Sequence, residues 1–141
     1  GAVINIASLA GLVHALALGP YNVTKAGVVA LSETLYAEVK ESGVRVTVVC
    51  PTFFRTGIID EARGPMDPKD KAVAGKMMDK ASVQADGVAR HALKASDRGE
   101  LHALPMLDGR LFWRAKRSNP GMFQKTIIKV MKSKFMEKLQ S

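Results

Sequence analysis

Two short β-branched runs with one long helical pattern between them constrain this chain more than any other feature. Residues 2–7, AVINIA, and 44–50, VRVTVVC, are nearly unbroken apolar stretches. Such runs suit parallel strands buried on both faces. Between them Val28, Leu31, Leu35 and Val39 recur at steps of three, four and four, which predicts a helix from Tyr21 to about Lys40 with those side chains inward. Pro20 stands where a first helical turn tolerates it, and Ser42-Gly43 stops the pattern. Two parallel strands need a crossover of this kind, because a tight turn cannot join them. The expected fold class is therefore α/β.

The rest of the chain extends that alternation. Residues 9–19 contain Gly11 and Gly19 and read as a loop. Residues 52–81 show no clear period and are punctuated by Gly57, Gly64, Pro65, Pro68 and Gly75, which predicts a long excursion able to serve as a substrate loop. Ser82 is a candidate cap for a helix over 83–95, and 100–104 a candidate third strand ahead of Pro105. Two further helical pieces are separated by Asn119-Pro120-Gly121. In the second, Phe123, Ile127, Val130, Met131, Phe135 and Leu139 share one face. The expected organisation is a body over 1–107 and a helical tail over 108–141.

Charge separates the two regions. The net formal charge is +8 over 141 residues. Residues 1–107 hold 12 basic and 11 acidic side chains, whereas 108–141 hold 9 basic side chains against Asp108 and Glu137. A basic amphipathic tail either packs its apolar stripe over the substrate pocket or a partner subunit with its lysines solvated, or meets an anionic partner; of anionic partners a membrane surface fits it better than nucleic acid, for which no reading motif is present. No apolar run approaches the roughly 18 residues of a spanning helix. The single cysteine, Cys50, excludes a disulfide framework within the chain. A cytoplasmic location, with peripheral membrane association through the tail, is the expectation. Gly1 opens directly on an apolar run, so the chain is expected to begin inside a larger protein.

Tyr21 and Lys25 are four apart at the start of the predicted helix and so share one face. A phenol ionises near pH ~10, and a nearby ammonium favours the phenolate, which suits such a pair to acid–base work. Ser8 ends the first predicted strand, at the carboxyl edge of the sheet where open α/β sheets hold their ligands. His14 lies between Ser8 and Tyr21 and is a candidate pocket residue, although a loop histidine is more often a plain surface group. His91 and His102 have weaker claims. Cys50 reads as a small buried side chain, Met77-Met78 as packing or part of a lid, and Phe53-Phe54 as one core and one pocket aromatic.

NIAS at a strand end, thirteen positions from Ser8 to Tyr21, YNVTK opening a helix, and CPTFFRT after the next strand together resemble the C-terminal half of the short-chain dehydrogenase/reductase family. The likeness is close over residues 1 to about 60 and looser over 82–104. It implies a Rossmann-like doubly wound parallel sheet whose N-terminal half lies upstream. It implies NAD or NADP as cofactor and a small-molecule carbonyl or alcohol as substrate. Tyr21 would be the general acid/base. Lys25 would support it and bind the nicotinamide ribose, and Ser8 would hold the substrate oxygen. Pro51, Phe54 and Thr56 would contact the nicotinamide. The family usually places Gly after the proline, where this chain has Thr52. The glycine-rich turn for the cofactor pyrophosphate is absent from these residues, so the chain alone is expected to be inactive. Apolar Leu16, Leu18 and Phe53 favour a lipophilic substrate. The long helix, 21–40, is a candidate pairing surface for a homo-oligomer. The competing expectation is a non-catalytic remnant acting through its basic tail.

Overall fold

The computed structural model describes residues 1–14, 16, 18–60 and 68–140, and the side chains of these except 59, 70 and 131–140. Strand β1 (Ala2–Ile6) is followed by a single helical turn α1 (Ala10–Val13) and by the long helix α2 (Gly19–Glu38). Strand β2 (Arg45–Val49), helices α3 (Pro68–Asp79) and α4 (Ala85–Asp97), the two-residue strand β3 (His102–Ala103), and helices α5 (Leu107–Ser118) and α6 (Pro120–Gln140) complete the chain. The sheet has the order β1-β2-β3 and is parallel throughout. Ala2 stands opposite Arg45 and Ile6 opposite Val49; Val48 stands opposite His102.

β2 is the centre of the molecule. Val46, Thr47, Val48 and Val49 are all at 0 % exposure, as expected for a strand covered on both faces. Each buried valine contributes roughly 1.5–3 kcal/mol relative to exposure. Alternate side chains serve opposite layers. Val48 and Cys50 pack with Ala7, Leu9, Val29 and Leu104, with Trp113 of α5 against them. Val49 packs on the other side with Val88, Ala92 and Ala95 of α4. The one hydroxyl in this row, Thr47 Oγ1, donates to the Glu100 carbonyl at 2.8 Å, so its burial carries no unmet polar group. β1 is less covered: Ile6 is 52 % exposed.

The structure departs from the sequence expectations in four places. Residues 10–13 of the predicted loop form α1, and α2 begins at Gly19. The excursion over 52–81 contains α3 and a 3₁₀ turn at Gly57–Ile59; residues 61–67 lie outside the described part. α4 is preceded by Gln84, not Ser82: the Gln84 side-chain amide donates to the Met78 and Ala81 carbonyls, and its oxygen accepts from the Arg55 N–H at 3.0 Å. On α2, Leu31 faces outward at 63 % exposure, while Val29 and Ser32 turn inward. Ser32 is acceptable there because its hydroxyl donates to the Val28 carbonyl (2.6 Å) and accepts from Asn5 Nδ2 (3.0 Å). The outer part of the tail's second apolar face, at Met131, Phe135 and Leu139, lies outside the described side chains.

α5 is packed on the body. Gly109 is buried beside Leu9 and Thr52, and a Cβ at that position would lie 3.0 Å from Thr52 Cγ2. No helix among the described residues is long and apolar enough to cross a membrane.

Candidate active site

The chemistry-bearing residues gather at the carboxyl ends of β1 and β2. Ser8 lies between β1 and the Leu9 cap of α1: its Oγ accepts from the Ala10 N–H at 3.2 Å and its carbonyl accepts from the Gly11 N–H at 3.0 Å. The hydroxyl thus serves the backbone as an acceptor, which leaves its proton for another oxygen. Leu9 N–H donates to the Pro51 carbonyl at 2.9 Å, tying this turn to the segment after β2.

Tyr21 lies in the first turn of α2 and Lys25 one turn later. Lys25 Nζ stands 5.7 Å from the centre of the Tyr21 ring and donates to the Ile6 carbonyl at 3.3 Å. A single ammonium therefore joins the last residue of β1 to the tyrosine, and Ser8 is two residues from that carbonyl. α2 is held close enough by Gly11, where a Cβ would meet the Lys25 carbonyl carbon and oxygen at 2.7 Å. The Asn5–Ser32 hydrogen bond fixes the same helix against β1 further along. Asn5 and Gly11 are residues that the motif reading passed over; Asn5 stood inside NIAS without a role.

The segment after β2 is braced from both ends. Pro51 is buried, and Phe54 packs against the α4 side of the core, whereas Phe53 is 44 % exposed. Arg55 NH1 pairs with Asp79 Oδ1 at 3.0 Å. Thr56 Oγ1 accepts from the Ile58 N–H at 3.3 Å, again leaving the hydroxyl proton for another acceptor. Thr52 sends its side chain to α5, where Oγ1 donates to Asp108 Oδ1 at 3.3 Å. The bulk that Thr52 introduces is matched by the missing side chain of Gly109.

His14 closes α1 with a left-handed backbone, φ 60°, a conformation in which Asn, Asp and His are enriched among non-glycine residues. Its Nδ1 accepts from Lys116 Nζ at 3.0 Å, and the same ammonium donates to the Leu12 carbonyl. Burial and the neighbouring Lys116 hold the His14 pKa below its ordinary value, and burial also lowers that of Lys116. Lys116 gave no sequence signal, since its partner lies about a hundred residues away. Cys50 is buried, and desolvation pushes its thiol up to about 12; it is a packing residue. His102 is engaged by Glu33 at 2.8 Å and stacks near Trp113.

Comparison with known proteins gives this arrangement its family. The sequence model of the short chain dehydrogenases matches residues 1–67, the segment that carries Ser8, Tyr21 and Lys25. Residues 1–67 belong to the short-chain dehydrogenase family. Over 66 residues the chain is 41 % identical to the granaticin polyketide synthase putative ketoacyl reductase 1 of Streptomyces violaceoruber, which is 45 % of this chain and 23 % of that protein. A short-chain dehydrogenase/reductase of Burkholderia phymatum solved with NAD superposes with a TM-score of 0.73 at 26 % identity, over 86 % of this chain and 48 % of its own. A short-chain dehydrogenase of Sphingobium yanoikuyae solved with NADPH gives 0.61 at 28 % identity, over 89 % of this chain and 45 % of its own. The α/β fold is thus that of a short-chain dehydrogenase, and the similarity of structure covers more of the chain than the 67 residues whose sequence matches. The chain spans about a quarter of the curated relative and under half of each solved one.

Proposed function

We propose that the protein to which these residues belong is an NAD- or NADP-dependent oxidoreductase acting on a carbonyl or alcohol carbon. The observation that carries the reading is the single Lys25 ammonium reaching both the Tyr21 ring and the Ile6 carbonyl beside Ser8. Ser8 donates its free hydroxyl proton to the substrate oxygen and stabilises charge that develops there. Tyr21 Oη gives a proton to that oxygen in the reducing direction and takes it back in the oxidising one. Lys25 supports the tyrosine and binds the ribose hydroxyls; Pro51, the Phe54 backbone and the Thr56 hydroxyl hold the carboxamide. The turning of Thr52 toward α5, and the unused protons on Thr56 and Lys25, support the fit of this edge to a nicotinamide. When bound, the nicotinamide supplies or accepts the hydride. These 141 residues hold no glycine-rich turn for the pyrophosphate, so the chain by itself does not turn over.

Leu16, Leu18 and Phe53, each more than 40 % exposed on the segments that follow β1 and β2, favour a lipophilic substrate, and His14 lines its pocket with the ring held by Lys116. Val23 and Leu31, 72 % and 63 % exposed on the outer face of α2, make that helix the pairing surface of a homo-oligomer. The second reading concerns the tail: Leu107, Leu111 and Met122 are 69 %, 56 % and 63 % exposed among basic side chains, an arrangement suited to an anionic membrane surface. The test of the first reading is Tyr21→Phe in the full-length protein. A fall in kcat of about thirtyfold or more, about 2 kcal/mol in the barrier, is expected with unchanged circular dichroism. Activity within a few-fold of the parent refutes the assignment.

A further inference from the structure

A cavity of about 300 Å³ lies at the β3 edge of the sheet, away from the β1 edge to which Lys25 is bonded, lined by residues of α4, β3 and α5 and their flanks. α4 and α5 cover opposite faces of the sheet, so side chains from both can line one cavity only around the outer edge of β3. β2 donates to this edge from one side alone: Val48 N–H to Leu101 and Cys50 N–H to Ala103, at 2.7 and 2.8 Å. Parallel pairing then turns the His102 N–H away from β2, off the sheet.

The cavity carries an excess of fixed positive charge. Arg98, Arg110 and Arg114 line it with one carboxylate, Glu100. That carboxylate is already engaged: Arg98 Nε and NH2 donate to its two oxygens at 2.6 and 3.2 Å. Arg110 gives its Nε to the Leu104 carbonyl at 2.7 Å, which fixes the plane of the guanidinium and leaves its terminal amines directed elsewhere. Arg114 has no side-chain partner among the described residues. His91 also lines the cavity, and burial together with Arg110 and Arg98 disfavours its protonation. The His91 ring thus sits where an added anion would favour its protonation. Lys94, on the same helix, adds to that potential, and Glu100 opposes it.

We propose that this cavity is a binding site for a small phosphate monoester. Three guanidinium charges less one carboxylate leave two positive charges, which a phosphate monoester near pH 7, carrying about −1.5 to −2, neutralises and a single carboxylate does not. The fixed guanidinium fork of Arg110 and the unpartnered one of Arg114 match phosphate oxygens in pairs. The volume falls at the lower end of the range for small-ligand pockets, enough for the phosphate and a short organic stem. Nothing in this reading depends on hydride chemistry at Tyr21.

The experiment is calorimetric titration of the full-length protein with inorganic phosphate at constant ionic strength and saturating NAD, beside Arg114→Gln and a succinate control. Among the described residues the Arg114 side chain makes no hydrogen bond or ion pair that folding requires, and circular dichroism checks this. Saturable phosphate binding, weakened about tenfold or more in Arg114→Gln, together with a downfield-moving His91 ring signal on titration, is the expected result. Phosphate binding no tighter than chloride, equal binding by the variant, or succinate binding as tightly as phosphate overturns the proposal. Loss of binding in Tyr21→Phe with retention in Arg114→Gln would place the anion at the dehydrogenase site and overturn it too.

Discussion

Gly11→Ala is a one-methyl test of how α2 is positioned. The new Cβ would stand 2.7 Å from both the carbonyl carbon and the carbonyl oxygen of Lys25, and 3.0 Å from Ala26 N. Carbon contacts are comfortable at about 3.5–4.0 Å, so roughly 1 Å of separation must be found. All three opposing atoms are backbone, and no rotamer change relieves them. Either α1 or the first half of α2 moves, at a cost of about 1–3 kcal/mol, the usual range for overpacking. The atoms that move belong to Lys25, so activity should fall further than stability requires. A displacement near 1 Å in a catalytic group costs about 10²-fold in rate. Urea unfolding gives the first quantity. Steady-state turnover of the full-length protein, under conditions where it is wholly folded, gives the second. An unchanged urea midpoint would refute the packing argument. A lower midpoint with full kcat would show that Lys25 need not be held where Gly11 holds it.

Two more outcomes follow from side chains that the motif does not include. His14 has its pKa depressed in the folded protein, so the unfolded chain binds the extra proton first and stability falls as the pH drops below about 6.5; His14→Asn, which suits the left-handed backbone, should flatten that fall in urea midpoints measured from pH 7.5 to 5, and an unaltered slope would show that His14 contributes nothing to it. Gly109→Ala brings a Cβ to 3.0 Å from Thr52 Cγ2 and should destabilise by about 1 kcal/mol, a loss that Thr52→Ser in the same protein largely removes; additive effects of the two substitutions would disprove the contact.

How far the residues announce the structure depends on what each element is packed against. β1, β2 and the existence of α2 are legible because their signal is local: β-branched runs and a twenty-residue helical period. The inward face of α2 is legible only in part: Val28 packs against the core and Leu35 and Val39 are half-buried, but the buried positions are Val29 and Ser32, the latter a polar side chain bonded to Val28 and Asn5, while hydrophobic Leu31 stands in the open. α3 left no period because among its described side chains only Met78 is buried. α4 starts after Gln84 because that amide binds carbonyls of the preceding turn and the Arg55 N–H, a choice made by distant backbone. At the site, the spacing of Ser8, Tyr21 and Lys25 was visible, since each belongs to one continuous stretch of 18 residues. The Lys116–His14 bond and the Thr52–Gly109 fit join segments far apart in the chain, and spacing alone carries no trace of either.

The half-covered β1 has a consequence for synthesis and handling. Ala2 pairs with Arg45, so β1 leaves the ribosome well before its partner strand exists, and the intervening crossover must form first. On its other side, among the described residues, β1 presents an unpaired row of amides with Ile6 half in water. A parallel sheet of this kind assembles slowly, and an open apolar strand is a template for another chain. Expression of these residues in isolation should therefore yield oligomers grown through β1, dissolving on dilution into denaturant and returning with concentration. A sheet partner on the Ala2–Ile6 flank would suppress them.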